Sequence, residues 1–212
     1  MTRPLLITDC DEVLLHMVAH FGAWLDEAHA LDFAFETGQF SGAMRNRATG
    51  AAVPDDEIWP LLDGFFHDQM HRQTLVPHAG AALKRIDAVA DIVVLTNLRD
   101  EVREGRVAQL AALGIHHRVV TNQGGKGRPV RMLVDEIQPS VTVFVDDLPQ
   151  HHDSVNKAAP EVWRLHMVAE PRMAHAIPPA PFAHARIDDW QEALPWILER
   201  MARAEPATPV EA

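Results

Sequence analysis

The 212 residues, 47% of them hydrophobic, suffice for one domain with a substantial core and a smaller appended unit. A formal net charge of −11 sets the surface against nucleic acid and anionic membrane, so neither is an expected partner. The single cysteine, Cys10, excludes an intramolecular disulfide and fits a reducing compartment, and the first apolar run, residues 5–7, is too short for a signal peptide or a membrane span, so a cytoplasmic location is expected.

In chain order, residues 5–8 form the first predicted strand. Residues 16–77 hold no predicted strand: Met17, Phe21, Leu25 and Ala28 make one helical stripe, and Ile58, Leu62 and Phe65 make another behind the acidic start Asp55–Asp56. Between them, residues 36–53 are rich in Gly, Ser, Asn and Thr and read as a long loop, with Trp24 and Trp59 packed inside the insertion. A helix over about 79–90 precedes a strand at 92–96. A helix over about 100–113 stops at Gly114 and precedes a strand at 118–121. A helix from near Pro129 ends before Pro139, and strands follow at 141–145 and 162–166. Residues 177–181 are a Pro-rich loop, and the last helix starts at Asp188, with Gln191 in capping-box position.

Short Val/Ile/Leu runs bounded by polar residues, alternating with amphipathic helices, imply an α/β fold: a Rossmann-like three-layer core with a parallel sheet. The expected division is a core of residues 1–15 and 78–203, a helical insertion at 16–77, and a frayed or disordered tail at 204–212 carrying Pro206 and Pro209. Ligands of such sheets sit at the carboxyl ends of the strands, so an insertion leaving the first strand there stands over the site.

Four features lie at those ends. Asp9 and Asp11 follow the first strand, two carboxylates whose repulsion calls for a cation or a proton. Thr96 and Asn97 end the second, with donors for a phosphoryl oxygen. Gly124-Gly125-Lys126-Gly127 precedes a helix and offers backbone N–H groups and a lysine to an anion, without the order of a Walker loop. Asp146 and Asp147 close a strongly apolar strand. Asp9, Asp146 and Asp147 offer the hard oxygen ligands that magnesium takes.

In this order the four resemble the motifs of the haloacid dehalogenase superfamily: Asp-x-Asp, Ser/Thr, Lys and a terminal acidic pair. The likeness spans residues 5 to about 166, and the helical insertion looks like that superfamily's small helical cap of the first type. The resemblance implies Asp9 as nucleophile and Asp11 as general acid and base. It implies Thr96, Asn97 and Lys126 as holders of the phosphoryl group, and Mg2+ on Asp9, the backbone carbonyl of Asp11, and Asp146, with Asp147 orienting the site. Glu12 departs from the pattern, standing where many members carry glycine. The expected function is a magnesium-dependent phosphatase that hydrolyses a small phosphorylated metabolite through an aspartyl-phosphate. A sugar phosphomutase on the same motifs and a non-catalytic phosphometabolite-binding module are the alternatives.

Weaker candidates for substrate specificity are Arg45 and Arg47 in the insertion and His16 beside the first motif, with Arg99 after the second. The pairs His16/His20 and His67/His71 have helical spacing but lack the further ligands zinc needs. His151 and His152 are expected on the surface near the site. The Cys10 side chain is expected to point into the core, by strand alternation.

Overall fold

The computed structural model describes residues 2–211; Met1 and Ala212, the ends of the expected core and tail, lie outside them. The first strand, β1 (Leu5–Thr8), leads through β2 (Leu15–His16) into an insertion built of α1 (Val18–His29), β3 (Leu31–Phe33), β4 (Met44–Asn46) and α2 (Asp55–Asp68). The chain returns through β5 (Thr74–Leu75) to α3 (Ala79–Asp87), β6 (Asp91–Thr96), α4 (Arg103–Ala112) and β7 (Arg118–Thr121). It continues with α5 (Gly127–Ile137), β8 (Thr142–Asp146), α6 (Pro149–Ala158), β9 (Trp163–His166), α7 (Pro171–Ala174), β10 (Ala185–Arg186) and α8 (Trp190–Arg203).

Six strands form one sheet in the order β10-β9-β8-β1-β6-β7, and every pairing in it is parallel. Side chains alternate between its faces. Leu6, Val94 and Val143 meet Leu83, Ile86, Trp190 and Ile197 of α3 and α8 on one face. Leu5, Ile7, Val93 and Phe144 meet Val130, Leu133 and Val155 of α5 and α6 on the other. Burial of each such Leu, Ile, Val or Phe contributes about 1.5–3 kcal/mol. The α/β, three-layer reading therefore holds. Thr8 pairs with both Val94 and Val145, so β1, β6 and β8 end level and present Asp9, Thr96 and Asp146 at one edge.

The insertion is not purely helical. Leu15 and His16 of β2 pair antiparallel with Leu75 and Thr74 of β5, joining its two linkers. Part of the expected long loop is β4, which forms an antiparallel pair with β3. Phe21, Leu25, Phe35, Met44, Ile58 and Phe65 make the insertion's own core, and Leu98, Val168 and Met173 from the sheet loops complete it. Trp59 is 65% exposed rather than packed inside, because it lies one residue, about 100° of helix, away from the buried Ile58.

Two further expectations are corrected. The last helix is capped by Asp189, whose side chain accepts from the Gln191 and Glu192 N–H groups, while Asp188 accepts from the Val168 N–H. The tail is tied to the core as far as Val210: Ala207 N–H donates to Glu161 O, Trp163 Nε1 donates to Glu205 O, and Val210 is held through both backbone groups by Asn156. These bonds satisfy tail backbone that low apolar content alone would leave to solvent. No helix among the described residues is long and apolar enough to cross a membrane.

Candidate active site

At the level strand ends, the Lys126 ammonium lies 2.6 Å from Asp9 Oδ1 and 2.7 Å from Asp146 Oδ2. It is fully buried. The glycines around it permit this. A Cβ on Gly127 would lie 2.1 Å from the Ser154 carbonyl oxygen, and the Gly127 N–H donates to Ser154 Oγ at 2.8 Å. Close approach of α5 to α6 thus carries Lys126 under the carboxylates, and the Gly127 N–H is spent inside the protein rather than on an anion.

Asp9, Asp146 and Asp147 offer one oxygen each within 4.8 Å of one another, all buried. Three carboxylates against one ammonium leave a deficit of two positive charges, and the donors are hard oxygens, so the residues fit a divalent cation such as Mg2+. The proton affinities reflect the crowding. Burial, with Asp146 and Asp11 nearby, pushes the Asp9 carboxyl up to about 6 against the pull of Lys126. Burial, with Asp146 and Asp9 nearby, raises Asp147 well above its ordinary range against the pull of Lys126. Asp146 is held low despite its burial by Lys126 and by His151.

Asp11 stands apart from that cluster. Its Oδ1 accepts from Gln73 Nε2 at 2.6 Å, and Arg106 Nη2 donates to Oδ1 at 2.8 Å and to Oδ2 at 2.9 Å. Thr96 Oγ1 lies 3.4 Å from Oδ2. Arg106 and Gln73 were missed in the sequence. The available signal for Arg106 was its place on the apolar stripe Val102–Leu110 of its helix; Gln73 carried none.

The Asn97 side chain is taken up by the protein: Nδ2 donates to Gly124 O and to His151 Nε2, and Oδ1 accepts from Asn122 Nδ2. It braces the loop that carries Lys126. His151 and His152, expected at the surface, are buried because the start of α6 folds back onto β8. His151 Nδ1 donates to Asp146 Oδ1 at 2.9 Å, and His152 Nε2 donates to Asp146 O at 3.0 Å. His166 Nε2 reaches Asp147 O at 2.8 Å. Three histidines thus hold the acidic pair.

Glu12 adopts φ 58°, the left-handed conformation that explains why glycine suits this position. Its carboxylate accepts from the Met17 and Val18 N–H groups at 2.6 and 2.7 Å and so caps α1, anchoring the insertion. Burial pushes its pKa up to about 7. His16 Nδ1 lies 4.0 Å from Glu12 Oε2, and burial lowers the histidine's pKa. Arg47 pairs with Asp26 of α1 and with Asp32 of β3, and Arg45 Nη1 reaches Gly50 O at 3.3 Å, so both arginines are engaged within the insertion. Arg99 pairs with Asp63 of α2 at 2.9 Å. A concavity of about 750 Å3 lies on the insertion beside Trp24 and Pro60 and is lined by none of the core carboxylates. Cys10 is buried, as strand alternation requires.

Folded Asp9 and Glu12 bind protons more tightly than the ordinary 3.8 and 4.5 of the unfolded chain, so without metal each loses stability as pH rises toward about 6 and about 7. A magnesium ion held by Asp9 would compete with the Asp9 proton, so the stabilisation it gives would grow with pH. At a hundredfold excess over Kd, the Tm at about pH 8 should rise by about 5–10 °C over that in chelator, and by much less at about pH 5. Equal shifts in thermal melts at both pH values would remove Asp9 from the metal site.

No family model and no curated protein matches this sequence. Solved structures do. A haloacid dehalogenase-like family hydrolase from Xanthomonas campestris is 14% identical, with TM-score 0.57, over 96% of this chain and 98% of that one. A haloacid dehalogenase-like family hydrolase from Streptococcus pneumoniae is 12% identical, with TM-score 0.63, over 93% and 98%. A Bacillus subtilis protein described as a HAD hydrolase, bound to magnesium, is 13% identical, with TM-score 0.64, over 93% and 99%. The parallel sheet, the order of its strands and these near full-length superpositions together give this chain the haloacid dehalogenase-like fold.

Proposed function

We propose that this protein is a magnesium-dependent phosphatase that hydrolyses a small phosphorylated metabolite through an aspartyl-phosphate on Asp9. The observation that carries the reading is the buried lysine shared by Asp9 and Asp146, with Asp147 beside them and Asp11 two residues on from Asp9. A binding module has no need of a nucleophile and a proton carrier together.

Lys126 holds Asp9 Oδ1 and leaves Oδ2 to attack phosphorus. As the Asp9–phosphorus bond forms, the bond from phosphorus to the leaving oxygen breaks, and Asp11 gives that oxygen a proton. Asp11 then takes a proton from water as the water oxygen attacks phosphorus, the Asp9–phosphorus bond breaks, and inorganic phosphate leaves. Thr96 and Lys126 donate to the phosphoryl oxygens throughout. Bound to Asp9, Asp146, Asp147 and the Asp11 carbonyl, Mg2+ would supply the positive charge that lets an anionic nucleophile approach an anionic substrate. We read residues 16–77 as a cap seated by the Arg99–Asp63 pair and by the Arg172 guanidinium 4.4 Å from the Phe35 ring; it would exclude water and select small substrates.

The test is release of phosphate from an aryl phosphate and a panel of metabolite phosphates, with magnesium and with chelator. Metal-dependent release supports a phosphatase. Isomer formation without release would assign a mutase, and no chemistry with tight phosphometabolite binding would assign a binding module.

A further inference from the structure

Arg106 is an arginine without solvent. It is fully buried on α4, a position where an apolar residue would pack without desolvating a charge. Its guanidinium is spent on very few partners. Nη2 donates to both oxygens of Asp11, and Nη1 donates to the side-chain oxygens of Gln73 and Gln109 at 3.1 and 3.0 Å. Its Nε is buried with no partner, so the contacts through Nη1 and Nη2 are what hold the group in place. The Phe66 ring of the insertion lies 5.6 Å from its Cζ.

Gln73 closes the arrangement. Its amide nitrogen donates to Asp11 Oδ1 while its amide oxygen accepts from Arg106, so Asp11, Gln73 and Arg106 form a ring of hydrogen bonds. Gln73 directly precedes β5, the linker by which the insertion returns to the core. Gln109, also on α4, donates to the Met70 carbonyl oxygen of the same returning segment. The Asp11 carboxyl is therefore oriented from both sides, by Arg106 and Thr96 of the core and by Gln73 of the linker. With Arg106, Gln73 and Thr96 all directed at its two oxygens, its rotation is set by these partners.

We propose that Arg106 is a positioning residue which, with Gln73, sets the orientation of the Asp11 carboxyl and ties proton transfer at the leaving group to the seating of the insertion's return linker. This rests on the reading of Asp11 as the proton donor and acceptor of a phosphatase. Arg106 touches neither the metal cluster nor the attacked phosphorus in this scheme; it acts through Asp11.

The experiment uses Arg106→Lys and Gln73→Met in the full chain, each checked for folding by circular dichroism. Leaving-group release in the first turnover is followed with magnesium on phosphate esters of graded leaving-group pKa. General acid catalysis is worth about 10²–10⁴-fold, so a misplaced Asp11 should cost about 10–100-fold on alkyl phosphates. An activated aryl phosphate, whose leaving group needs no proton, should lose less than about threefold, with KM changed by less than about threefold on either class. A merely structural role would lower all substrates alike through the folded fraction. Uniform loss, or no loss, in variants of an active wild type overturns the positioning role and leaves the phosphatase reading standing. If wild type releases no leaving group from any ester, or Asp9→Asn releases it as fast, the phosphatase reading fails and this proposal falls with it. Should Arg106→Lys not fold, Gln73→Met decides, since it keeps the volume and removes only the linker's half of the ring.

Discussion

Asp9→Asn should abolish hydrolysis, with kcat expected to fall by about 10⁴-fold or more while the protein stays folded. The amide is close to isosteric with the carboxylate but cannot attack phosphorus. It also removes one of three crowded carboxylates, and that one is already driven toward protonation, to about 6, by burial and by Asp146 and Asp11. The variant should therefore be at least as stable as wild type in chelator above about pH 7, and it should lose most of the magnesium-dependent rise in Tm. Rapid-quench trapping of a phosphoenzyme in wild type, and its absence in the variant, measures the step directly. Turnover in Asp9→Asn within about tenfold of wild type would remove Asp9 as nucleophile.

Lys126→Met should damage both stability and turnover. The ammonium is fully buried; although burial pulls its pKa down, Asp146 and Asp9 hold it above the usual lysine range. Removing it leaves Asp9, Asp146 and Asp147 without their internal cation. Breaking a buried pair by deleting one partner costs about 3–5 kcal/mol, which urea unfolding in chelator would read as a lower midpoint at unchanged slope. Magnesium should restore part of that loss by neutralising the carboxylates, but not the catalysis. Loss of a preorganised donor to the transferring group lowers kcat by about 10²–10³-fold. A variant as stable as wild type in chelator at neutral pH would show that the carboxylates do not depend on Lys126 for their charge balance.

Sequence and structure meet most closely where a residue's role depends on local pattern. Val-Val-Leu-Thr and Val-Phe-Val-Asp are legible as buried strands because their composition suits both faces of a parallel sheet. Their ends are then the place to look for Asp9, Thr96 and Asp146. A left-handed residue is less visible: Glu12 breaks a glycine pattern, yet its side chain repays the strained position by capping α1. His151 and His152 fall at the polar start of a helix, and only the return of that helix onto β8 turns them inward.

By itself, then, the sequence determined the alternation of strands and helices, the insertion after the first strand, and the four strand-end motifs, because hydrophobic periodicity and chain order specify these without knowledge of distant neighbours. Tertiary structure alone decided that the tail docks on the core, that Trp59 faces solvent, and that Lys126 lies fully buried beneath the carboxylates. It also decided the surroundings of Asp11, whose partners Gln73 and Arg106 lie 62 and 95 residues away along the chain. An arginine on an apolar stripe is costly until a carboxylate meets it, and whether one does depends on how α4 packs against the linker.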